Sequence, residues 1–142
     1  MYGTASSSTY NETHANMKEI VDEWYEKHIK GTEYEGYISD TLFCNDRSFA
    51  SDNTGTGVGT STTYYRTYDT DNHTLYCKNQ NDRFTVNYEA KGNGDLTYPI
   101  GLVTADEAYL SGGYSATNSK YYLYTGNSYW TMTPYYVGSN GI

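Results

Sequence analysis

The stretch Asn11-Glu-Thr-His-Ala-Asn-Met17-Lys-Glu-Ile20-Val21-Asp-Glu-Trp24-Tyr25-Glu-Lys-His28-Ile29 is the most regular in the chain. Met17, Ile20, Val21, Trp24, Tyr25 and His28 recur at the i, i+3, i+4, i+7 spacing of an amphipathic helix. On that spacing the face made by Met17, Ile20, Val21, Trp24 and His28 packs onto a sheet. Trp24 is then an anchor whose loss costs about 3 to 5 kcal/mol, and His28 is a packed histidine and not a ligand. The opposite face carries Lys18 with Asp22, Glu23 with Lys27 and Glu26 with Lys30, each pair four apart. Gly31 stands where a helix C-terminal cap belongs.

Outward from this helix the periodicity shortens. Tyr37 to Cys44 reads as a turn or short strand, and Ser51 to Thr63 contains so much Gly, Ser, Thr, Asp and Asn that it predicts loop. Tyr64 to Tyr68 and Thr74 to Cys77 are short β-prone runs separated by the turn-forming cluster Asp69 to His73. Phe84 to Tyr88 alternates as a half-buried strand does, and Lys91-Gly-Asn-Gly-Asp95 predicts a turn. Thr104-Ala-Asp-Glu107 is a capping box opening a helix of barely two turns that Gly112 and Gly113 end. Tyr121 to Tyr124, a turn at Thr125-Gly-Asn-Ser128, and Tyr129 to Thr133 predict a hairpin stopped by Pro134. On its second strand Trp130 and Met132 share the core face, leaving Tyr129, Thr131 and Thr133 outward. The fold class is therefore α+β, with residues 1–10 a flexible linker and residues 11–142 one domain.

Composition decides what holds such a domain together. Leu, Ile, Val and Phe number only 19 of 142 residues, so the 19 Tyr and two Trp must supply the buried surface. A net charge of −8, with nine Lys and Arg scattered singly, argues against a nucleic-acid partner. No run is apolar enough to insert into a membrane. Cys44 and Cys77 lie apart from any CxxC or histidine pair, which excludes a familiar zinc or redox motif and predicts a disulfide between them. A chain rich in Ser, Thr, Asn, Gly and Tyr and poor in Lys fits a secreted or cell-surface setting.

Neither a metal site nor a catalytic constellation is expected. Asp69-Thr-Asp71-Asn72 resembles the start of a calcium loop, but its twelfth position is Gln80 and it lacks a central Gly, so an Asx turn is the simpler reading. His14, His28 and His73 are far apart, without a nucleophile motif beside them. The densest aromatic segment instead nominates Tyr121, Tyr124, Tyr129, Tyr135 and Tyr136 as ligand-binding residues, since Tyr offers contact area at low conformational-entropy cost.

Five stretches carry a resemblance to a known group. They are Val21-Asp-Glu-Trp-Tyr25, Phe43-Cys-Asn-Asp-Arg-Ser48, Cys77 with Asp82-Arg-Phe-Thr85, Leu96 to Glu107, and Tyr122-Leu-Tyr124 with Tyr129-Trp-Thr-Met-Thr-Pro134. Together they resemble secreted or surface-displayed bacterial proteins of the gut Bacillota type, with a C-type-lectin-like fold of the broad formylglycine-generating-enzyme kind. The resemblance implies two helices on a small, mostly antiparallel sheet with long polar loops. It also implies that the chain stops early at Ile142, leaving a sheet edge on which a second copy could pair. The Glu-Pro-Asn and Trp-Asn-Asp signature of calcium-dependent sugar binding is missing, as are the late cysteines of the oxidase. The resemblance therefore implies neither lectin calcium chemistry nor catalysis, and no cofactor. The expected function is an extracytoplasmic recognition or adhesion module for a glycan or a protein surface. The alternative is a structural or assembly domain of a larger surface protein.

Overall fold

A computed structural model describes residues 16–45, 73–77, 80–87, 92–113 and 118–133. Within them the fold is α+β, with two helices and one two-stranded antiparallel sheet. Helix α1 spans Asn16–His28 and a single 3-10 turn follows at Glu33–Tyr37. Strand β1 (Phe43–Cys44) pairs with β2 (Arg83–Phe84), Phe43 opposite Phe84 and Cys44 opposite Arg83. Helix α2 is one turn, Ala105–Ala108, widening into a π-type turn at Tyr109–Gly113. The expected linker at residues 1–10, the runs at 51–72, the calcium-like loop from Asp69, Tyr135, Tyr136 and Ile142 lie outside the described residues.

Of the helix expected over residues 11–29, residues 11–15 lie outside the described residues and the described part is helical from Asn16 to His28; the chain turns off at Gly31, whose φ of 73° is the left-handed value a C-terminal cap requires. Its burial differs from expectation. Tyr25 and Lys18 are the buried side chains, whereas Trp24 is 50% and Ile20 56% exposed, and His28 is exposed as well. One residue along a helix is a rotation of about 100°, so exchanging Trp24 for Tyr25 turns the apolar stripe onto the flank. A local frame explains the choice. Tyr25 stacks on Tyr98 with ring centroids 4.9 Å apart and planes 13° from parallel. The Tyr98 hydroxyl donates to Glu26 and accepts from Lys30 Nζ at 2.7 Å, while Lys18 pairs with Asp22. The bond from Tyr98 chiefly holds the Glu26 carboxyl below its ordinary pKa, and Tyr98 likewise raises that of Lys30. An aromatic stack with three satisfied polar groups thus competes with simple burial of Trp24, which instead leans on His28 at 5.3 Å.

Around β2 the backbone is secured from both sides. Asn45 N–H donates to Asp82 O at 2.9 Å on the β1 side, and Asn93 and Leu96 N–H donate to Arg83 O and Thr85 O at 2.7 and 3.0 Å on the other. The strand expected from Phe84 to Tyr88 ends after Phe84. Asp40 is the reason: its carboxylate accepts the N–H groups of Val86 and Asn87 at 2.8 and 2.9 Å, taking donors that a longer ladder would use. Thr85 is buried beside Phe84, so the alternation breaks there. Thr74 to Cys77 is likewise not a strand. Two glycines let the chain pass close over these strands. A Cβ on Gly101 would collide with the Phe43 ring, and one on Gly92 with the Thr85 side chain.

The apolar core is Phe84, Leu96 and Met132, with Phe43, Val86 and Leu102 packed around it. Met132 is completely buried, as expected, but Trp130 is 69% exposed and Thr133 is buried. Both differences from expectation follow from the absence of the predicted hairpin, since none of residues 118–133 is in a strand. Tyr121 N–H donates to Asn118 O at 3.1 Å and Tyr124 N–H to Tyr121 O at 2.9 Å, so the first run is spent on consecutive turns. Met132 reaches the core singly, its N–H bonded to Val103 O at 2.9 Å, and without a pleat Trp130 need not follow it. The predicted turn at Thr125 to Ser128 is present, closed by Asn127 N–H on Thr125 Oγ1 at 3.3 Å.

The capping box is formed as the sequence predicts. Thr104 Oγ1 accepts Glu107 N–H at 3.1 Å and Glu107 Oε2 accepts Thr104 N–H at 2.7 Å. Cys44 and Cys77 form a disulfide with Cα atoms 5.8 Å apart, tying β1 to the segment that precedes β2.

Candidate functional site

The turn that closes residues 125–128 also makes one wall of a cleft of about 310 Å³. Tyr121 and Tyr129 line it, with Tyr124 and the turn itself beside them. Three of the five nominated tyrosines thus come together, although not as a row on one strand. Tyr135 and Tyr136 fall outside the described residues.

Each ring has its own support. Tyr121 is buried, its ring lying over Gly113, where a Cβ would press into it at 2.8 Å. That approach is held by Asn118, whose side-chain amide donates to Gly112 O at 2.7 Å and joins the end of α2 to the tyrosine turn. Tyr122 stands edge-on to Tyr121 at 5.3 Å and faces solvent. Across the cleft, Tyr129 Oη donates to Tyr121 Oη at 3.3 Å. Burial, with the bond to Tyr121 second, pushes the Tyr129 hydroxyl up to about 12. The phenol therefore stays protonated at physiological pH, although 44% of the residue is exposed. Its polar end meets Tyr121 while the rest of the ring faces outward. Tyr124 is exposed to the same degree.

The described residues around this cleft carry no formal charge; they offer phenol, amide and hydroxyl groups and backbone. Such a surface forms neutral hydrogen bonds and aromatic contacts. Its volume sits at the lower end of small-molecule sites, enough for a single sugar ring or a side chain of comparable size.

A second cluster escaped the sequence reading. His73 Nδ1 lies 3.6 Å from Asp106 Oδ1, and its ring stacks on Tyr109 with centroids 3.4 Å apart. Asp106 also accepts the Thr74 N–H at 3.0 Å. The cluster borders a cavity of about 80 Å³ beside Cys44, which suits a few waters better than a substrate. The only signal in the sequence was the capping box, which sets Asp106 in the first turn of α2, and nothing local pairs it with a histidine 33 positions earlier. Among the described residues no group of three His, Cys, Asp or Glu gathers to hold a metal ion.

No family model, curated protein or solved structure matches the chain. No described helix is long and apolar enough to cross a membrane. The disulfide is compatible with an oxidising, extracytoplasmic setting.

Proposed function

We propose that this domain is an extracytoplasmic recognition module, C-type-lectin-like in arrangement, that binds a neutral glycan at the Tyr121, Tyr124 and Tyr129 cleft. The observation that carries the reading is the uncharged lining of the cleft, where the Tyr129 hydroxyl is bonded to that of Tyr121 while ring surface of Tyr124 and Tyr129 stays open. Sugar hydroxyls exchange hydrogen bonds with phenol oxygens, and the apolar face of a pyranose lies well on an aromatic ring. An anionic ligand would meet a chain of net charge −8 with no cation at the cleft.

A glycan array probed with the domain tests this. Tyr124→Ala and Tyr129→Ala should each weaken binding to the best neutral glycan by about tenfold or more, the effect of losing an aromatic anchor. Tyr129→Phe, which removes only the hydroxyl, should weaken it by about fivefold. Unfolding midpoints of the Tyr124 variant should hardly move. Full retention of binding by all three variants would remove the cleft from consideration.

The alternative, a structural or assembly unit, is favoured by one observation of its own: Tyr122 and Trp130 are 73% and 69% exposed on the same Tyr-rich segment. Such surface is equally suited to permanent contact with a neighbouring domain.

A further inference from the structure

We propose that the outward stripe of α1, formed by Ile20, Trp24 and His28, is a self-association surface on which a second copy of the chain lays the same helix antiparallel about a two-fold axis. The stripe exists because Tyr25 takes the inward position, leaving Ile20 and Trp24 at least half exposed at successive turns. Large apolar side chains aligned in this way favour a partner helix over water.

The flanking charges select the partner and its direction. Glu23 and Lys27 are both exposed and border the stripe on one side, four residues apart. An axis through Trp24 sets Ile20 of one copy against His28 of the other. The midpoint between Glu23 and Lys27 is one residue, about 1.5 Å of helix rise, from that axis. Each Glu23 then meets the partner's Lys27, twice over. A parallel arrangement would instead set this flank against the partner's other flank, where Val21 stands, and leave both charges unmatched. An isologous contact of this kind closes on itself and stops at the dimer. The sheet edge is a poorer candidate, since its strands have two residues each and the far side of β2 is bonded to residues 93–96.

One short helix against another buries less than the roughly 1,200 Å² of stable complexes, and each copy carries −8, so association is weak. Sedimentation of the 142-residue chain over about 10 µM to 1 mM should show a monomer–dimer equilibrium with a dissociation constant on the order of 100 µM. Trp24→Ala should abolish it. Glu23→Lys alone, and Lys27→Glu alone, should each weaken it by about fivefold or more by placing like charges together, and the double exchange should restore it to within about twofold. The exchange keeps the test decisive if Trp24→Ala fails to fold, because both charged side chains are exposed. A chain that stays monomeric at 1 mM, or capture of a membrane or another protein by a monomeric chain through this stripe, overturns the proposal. So does a dimer indifferent to Trp24, or a double exchange that does not rescue.

Discussion

Reducing the Cys44–Cys77 disulfide is the perturbation whose size follows most directly from the structure. The bond joins residues 33 apart, and on the chain-entropy model closing such a loop removes about 12.5 cal/mol/K from the unfolded ensemble, or about 3.7 kcal/mol at 25 °C. That is a substantial part of the roughly 5 to 15 kcal/mol by which domains are stable. Reduction is preferable to substitution because Cys77 is buried, and removing its sulfur would add a packing defect to the entropy term. With a urea slope of about 1.5 to 2 kcal/mol/M, the unfolding midpoint should fall by about 2 M when a phosphine reductant is present throughout. Circular dichroism at 222 nm follows the loss of α1, and alkylation counted by mass confirms two free thiols. What stays in place on reduction is the β1–β2 pair and the Asn45 N–H bond to Asp82 O, so a cooperative transition should persist. A midpoint shift under about 0.5 M would refute the reasoning, by showing that the loop ends are already held together without the cross-link. Complete unfolding in buffer would refute it from the other side, because the bond would then supply far more than loop entropy.

The reassignment of the core predicts unequal costs at two neighbouring positions. Met132→Ala should destabilise by about 2 to 4 kcal/mol in urea titrations, and Trp130→Ala by less than about 1 kcal/mol; the reverse order would return Trp130 to the interior. Tyr129 predicts a pH effect whose sign follows from its raised pKa. The folded state holds the phenolic proton that the unfolded state gives up from about pH 10, so this contribution is complete below pH 10 and is lost as pH rises toward about 12. Absorbance at 295 nm should show a late-titrating phenol that disappears in Tyr129→Phe, and no difference between the two titrations would contradict the hydrogen bond to Tyr121.

Elements whose determinants lie within a few residues were legible in the sequence. The capping box at Thr104 and Glu107 and the turn at Thr125 depend on side chains that bond to neighbouring backbone, the body of α1 on residue spacing, and the left-handed turn at Gly31 on the lack of a side chain. Which face of α1 is buried was not legible, because it depends on Tyr98, 73 positions beyond Tyr25, and on three polar groups that only the folded chain assembles. The hairpin failed for a related reason. Alternation from Tyr121 to Met132 is also compatible with a chain of turns, and Asn118, Thr125 and Asn127 decided for turns by bonding locally. That Tyr121, Tyr124 and Tyr129 share one cleft could be anticipated only as far as their closeness in sequence, while the pairing of Tyr129 with Tyr121 required that turn geometry. His73 and Asp106 could not be paired from sequence at all, since their segments, 33 positions apart, meet only in the fold, where the Thr74 N–H bond to Asp106 joins them.

The two close passages of the chain, Gly101 over Phe43 and Gly92 over Thr85, bear on descent as well as on packing. At both positions even a methyl group would have to displace a core side chain, so drift there is closed unless the neighbour shrinks in the same step. Exposed side chains such as Tyr122 and Trp130 face no such limit. Distant kin of this chain should therefore keep a spare pattern of Cys44, Cys77, Phe84, Gly92 and Gly101 while little else remains alignable, and they are best sought by that spacing.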